Sequence, residues 1–89
     1  MPIRVEKISE TTFAVTVEDR TTTTHTVTVT REYWQELTEG SIPPEKLVEK
    51  SFKFLLAREP NTSILGTFTL PTIQRYFADY ESVMRKMLK

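Results

Sequence analysis

The sequence predicts an α+β fold, a three-stranded antiparallel meander sheet followed by three or four helices packed on one of its faces. Three observations carry that prediction. The first thirty residues alternate apolar and polar side chains with the two-residue period of strands. The connections within them are too short to hold a crossover helix, so consecutive strands must be antiparallel. After Thr30 the apolar spacing changes to threes and fours, the period of a helix. With 89 residues, the chain has material for one core and one domain, because a chain of this size buries only about 60–65% of its unfolded surface.

In the first strand Ile3 and Val5 alternate with Arg4 and Glu6. In the second, Phe13, Val15 and Val17 alternate with Ala14, Thr16 and Glu18, and in the third His25, Val27 and Val29 alternate with threonines. β-Branched residues, which suit a half-buried pleated surface, dominate all three. Turns fall around Ser9-Glu10-Thr11 and Asp19-Arg20-Thr21-Thr22. Thr30 is placed to cap a short helix carrying Tyr33, Trp34 and Leu37, which Gly40 ends. Pro43-Pro44 opens the next helix, residues 44–58, with Leu47, Val48, Ser51, Phe52, Leu55 and Leu56 on one side and Lys46, Glu49, Lys50 and Lys53 opposite. Pro60 breaks it, and Ile64, Leu65 and Phe68 return the chain to the core. Thr69 is the expected cap of a last helix, residues 70–88, striped by Ile73, Tyr76, Phe77, Tyr80, Val83, Met84, Met87 and Leu88.

Residues 43–81, together with the strand end at residues 25–29, are similar to a family of small prokaryotic proteins with no assigned activity. The shared pattern is HTVTV, then FLL-x-REP, SIL, F-x-L and RYF-x-x-YE. It is matched here by His25 through Val29, by Phe54, Leu55 and Leu56 with Arg58, Glu59 and Pro60, by Ser63 to Leu65, by Phe68 and Leu70, and by Arg75, Tyr76, Phe77, Tyr80 and Glu81. The resemblance covers about two thirds of the chain and implies the fold without adding chemistry. Two positions depart from it: Thr69 stands where an acidic residue is expected, which still offers a cap, and Ala78 stands where relatives often carry proline. Without that proline the last helix is free to run straight.

Composition excludes several functions. There is no cysteine, so disulfides, thiolate zinc sites and thiol nucleophiles are out. Lys plus Arg and Asp plus Glu each number twelve, leaving no global field toward nucleic acid or anionic lipid. The charge tilts from net −3 over residues 1–44, with four bases and seven acids, to net +3 over residues 45–89, with eight bases and five acids. No run reaches membrane-spanning length and the start lacks a signal-peptide pattern, so the expected location is cytoplasmic, with no membrane partner. Asn61-Thr62-Ser63 matches the glycosylation sequon and is read as chance in that setting.

His25 is the only histidine, and its strand parity puts it on the apolar face, where a structural role fits better than a metal or nucleophile partner. The pairs Glu32/Glu36 and Glu45/Glu49 lie four apart on polar helix faces, where nothing would desolvate them. Gly40 and Gly66 alone make no phosphate loop. Thr22, Thr24, Thr26, Thr28 and Thr30 line one strand face, which fits an exposed strand better than a water-ordering surface. Arg75, Arg85, Lys86 and Lys89 could serve nucleic acid, with Tyr76, Phe77 and Tyr80 to stack on bases, but these aromatics fall on the core stripe.

The sequence therefore points to a non-catalytic protein-interaction module without cofactor or metal. A weak nucleic-acid binder is the runner-up, and a hydrolase using His25 a distant third. The candidate contact residues are Tyr33, Trp34, Met84, Met87 and Leu88. A straight helix over residues 70–88 would be about 28 Å long at 1.5 Å per residue, against about 20 Å for a six-residue strand. Its last turns would then overhang the sheet and call for cover, a homodimer being the simplest form. A kink near Ala78 would instead fold them back over the core. The sequence leaves both courses open.

Overall fold

The computed structural model describes residues 3–87. Strands β1 (Ile3–Lys7), β2 (Thr12–Glu18) and β3 (Thr22–Thr28) form the antiparallel meander, with Val5 opposite Val15 and Val15 opposite His25. Helices α1 (Arg31–Thr38) and α2 (Pro44–Leu56) follow, then a 3-10 turn (Asn61–Ser63) and a short strand β4 (Thr67–Thr69). Two further helices, α3 (Pro71–Tyr76) and α4 (Tyr80–Met87), complete the fold. The α+β architecture matches the expectation, with one addition. β4 pairs parallel with β3, Phe68 opposite Val27, so the sheet has four strands in the order β1-β2-β3-β4.

Parity divides the sheet. Phe13, Val15, Val17 and Val27 are fully buried on the side that the helices cover, against Leu47, Val48 and Phe52 of α2. Each contributes about 1.5–3 kcal/mol by leaving water. The other side carries Thr16, Thr24, Thr26 and Thr28, joined by Thr67 and Thr69 of β4, all exposed or half-exposed.

Thr30 caps α1 as its spacing predicts, its Oγ1 accepting from the Tyr33 amide at 3.2 Å. The left-handed Glu39 (φ 54°) and Gly40 (φ 78°) end that helix. Pro44 opens α2, which stops two residues earlier than expected, at Leu56, because Pro60 forces Glu59 out of helical geometry and the last turn loosens ahead of it.

The expected Thr69 cap of the last helix is corrected, and of the two courses left open for that helix the kinked one is found. Thr69 does not cap it: the residue lies in β4, its hydroxyl 3.1 Å from that of Thr72, while the Leu70 amide donates to Thr28 O at 3.1 Å. Pairing with β3 has taken the backbone that a cap would use. The helix is also broken, with Phe77 extended (φ −130°, ψ 95°) between α3 and α4. No proline is needed, since Gln74 bridges the gap. Its Nε2 donates to Ala78 O at 2.6 Å and its Oε1 accepts from the Glu81 amide at 2.9 Å. Arg58 holds the corner from outside, 2.9 Å from Asp79 Oδ2 and stacked 3.6 Å from the centre of the Phe54 ring. The turn drives Tyr80 and Met84 into the core, where Tyr80 Oη lies 2.6 Å from Ser51 Oγ.

Candidate functional site

The end of α2, the segment from Asn61 to Gly66, β4 and α3 meet around an open groove of about 300 Å³. Its floor is apolar, made by Leu55, Ile64, Phe68 and Ile73. Phe77 closes one side, turned edge-on to Phe54 at 5.9 Å. Two large apolar side chains stand on the rim in solvent, Tyr76 at 69% exposure and Leu65 at 46%. Polar groups are few: Ser63, Thr72 and the half-exposed carboxylate of Glu59, which makes no ion pair among the described residues.

A hydrogen-bonded chain under the groove fixes this shape. Asn61 Nδ2 donates to Thr21 O at 2.7 Å and to Thr23 Oγ1 at 3.0 Å. Thr23 in turn donates to His25 Nε2 at 2.9 Å, and His25 Nδ1 donates to the Leu65 carbonyl at 2.7 Å. A carbonyl only accepts, so Nδ1 carries a proton, and in the neutral ring Nε2 is then the acceptor. Both ends of the loop are thus tied to the β2–β3 hairpin and β3, and the Leu65 side chain is held outward. His25 itself is 2% exposed and packs on Phe52 at 5.3 Å. The sequon asparagine is likewise buried, its amide nitrogen already engaged.

The contact residues expected from sequence lie elsewhere. Tyr33 is half-buried and donates to Glu81 Oε2 at 2.9 Å, joining α1 to α4. Burial, aided by that bond, raises its phenol well above the ordinary tyrosine range. Trp34 is half-buried, with Nε1 donating to Ile42 O at 2.7 Å. Met84 is fully enclosed, so the overhanging helix end is corrected at this residue, while Met87 remains 43% exposed and Leu88 lies outside the described residues. Glu32 and Glu36 are exposed, and Glu49 sits between Lys46 at 3.4 Å and Lys53 at 3.8 Å, a solvated charge cluster. Of the aromatics offered for stacking on bases, Tyr80 is buried, Phe77 half-buried and Tyr76 exposed. Among the described residues no group of three or more His, Asp or Glu could hold a metal ion.

Sequence reasoning assigned Leu65 and Tyr76 to the core and so missed the groove. The one trace of it is Thr67-Phe68-Thr69, a polar–apolar–polar triplet between Gly66 and Pro71, too short by itself to establish a strand. Compared with protein-family models, curated proteins and solved structures, the chain matches none, so its function is read from geometry alone.

Proposed function

We propose that this chain is a non-catalytic, cytoplasmic protein-interaction module whose docking site is the groove between α2, β4 and α3. It receives an aliphatic or aromatic side chain from a peptide segment of the partner, with a basic residue beside it to meet Glu59. The supporting observation is the pairing of a preformed apolar floor with two exposed apolar rim residues, Leu65 and Tyr76. The arrangement resembles the buried anchor pockets around which interface energy concentrates. His25 supports the non-catalytic part of the reading, because both its nitrogens are committed to the fold.

Selection from a displayed random-peptide library tests the proposal. Enriched peptides should carry a large apolar residue close to Lys or Arg. Leu65→Glu and Tyr76→Glu, both at exposed positions, should each weaken binding about tenfold or more while leaving the melting temperature near wild type. Peptides that bind both variants as tightly as the wild type would overturn it, as would the absence of any enrichment. Submicromolar binding of mixed-sequence oligonucleotides at physiological salt would favour a nucleic-acid role instead.

A further inference from the structure

Among the described residues, β1 has a hydrogen-bonded neighbour on one side only, β2, and its outer edge is open. Its polarity follows from the ladder. Ile8 N–H donates to Thr12 O at 2.9 Å, and the register continues Glu6 opposite Ala14 and Arg4 opposite Thr16. Bonded pairs alternate in an antiparallel ladder, so the even residues of β1 bond to β2. The backbone N–H and C=O groups of Ile3, Val5 and Lys7 therefore point away from the sheet. Between them Arg4 and Glu6 project from the open face, both exposed and neither ion-paired among the described residues.

We propose that β1 pairs antiparallel with β1 of a second copy of this chain, about a twofold axis through Val5. In that register Val5 faces the partner's Val5 and Ile3 faces the partner's Lys7, and the outward groups form about six backbone hydrogen bonds. Arg4 then stands opposite the partner's Glu6, and Glu6 opposite the partner's Arg4. These are non-hydrogen-bonded positions, where side chains across the ladder approach most closely. Charge fixes the register. A shift of two residues in one direction sets Arg4 against the partner's Arg4, and in the other sets Glu6 against the partner's Glu6. With one charge of each sign at Arg4 and Glu6, the open face of this edge is self-complementary in that register. Because β1 and β4 are opposite edges of the sheet, the resulting eight-stranded dimer leaves the groove of each copy open.

Sedimentation equilibrium over a wide concentration range tests this, using the wild type, Arg4→Glu, Glu6→Arg and Val5→Pro. The wild type should form a reversible dimer that weakens as salt is added. Arg4→Glu and Glu6→Arg should each weaken self-association about tenfold or more, since each places like charges opposite at two symmetric positions. Mixing the two variants should restore wild-type affinity, because every facing pair is then opposite in charge. Val5→Pro removes an outward N–H and no bond to β2, so it should abolish the dimer with the sheet signal in circular dichroism retained. A wild type that stays monomeric throughout would overturn the proposal. So would a dimer that neither charge variant weakens, or a mixture no tighter than its components; these outcomes hold even if Val5→Pro fails to fold.

Discussion

His25 and Tyr80 are polar groups enclosed by the core, and each is stabilising only while its partners stay in place. Replacing His25 with Gln disturbs the links to Thr23 and the Leu65 carbonyl, and is expected to cost about 1–3 kcal/mol in denaturant unfolding. Added divalent metal should leave the melting temperature of wild type and variant unchanged. A metal-dependent rise confined to the wild type would contradict the structural role. Ser51→Ala leaves the Tyr80 hydroxyl without its buried partner and should cost a similar about 1–3 kcal/mol. The phenols of Tyr33 and Tyr80 are both raised in the folded protein, chiefly by burial. A raised pKa favours the neutral form. Their contribution is therefore complete below the unfolded-state value of about 10 and is lost as pH climbs beyond it. Ultraviolet titration should show these two phenols ionising together with the loss of circular dichroism. Ionisation of both near pH 10 with the fold intact would contradict this.

The elements that sequence made legible are those whose period is repeated and whose ends carry a local signal. The meander, the Thr30 cap and the Pro44 start of α2 are of this kind, because each depends on neighbours within a few residues. β4 was not legible: three residues are too few to establish a period, and its pairing partner lies some forty residues earlier, in β3. The sequence left the break after α3 undecided for a related reason. The stripe from Ile73 to Met87 is unbroken in sequence, and what ends the helix is a tertiary preference for burying Tyr80 and Met84 beside Ser51, with Gln74 closing the gap. Gln74→Ala should thus leave the global fold in place, lower stability by about 0.5–1.5 kcal/mol and speed hydrogen exchange at the Glu81 amide. Unchanged exchange there would show that packing alone sets the corner. The groove inherits this illegibility, since it exists only where β4 and the end of α3 diverge and leave Leu65 and Tyr76 outside.

Across the whole molecule, helices cover one face of the sheet, and the two edges differ. Beyond β4 lies an apolar groove with a single carboxylate; beyond β1 lies a self-complementary backbone edge. No helix among the described residues is long and apolar enough to cross a membrane. With zero net charge, any binding to nucleic acid is expected to be weak and salt-dependent, which a fluorescence titration with oligonucleotides checks. Amide chemical-shift mapping tests the groove as docking site, titrating the isotope-labelled protein with a peptide selected on it. The shifts are expected to concentrate at Ile64, Leu65, Gly66, Thr72, Ile73 and Tyr76, and to vanish in Tyr76→Glu. Shifts centred instead on Tyr33, Trp34 and Met87, with the groove amides unmoved, would contradict the account and return the interaction site to α1 and the end of α4.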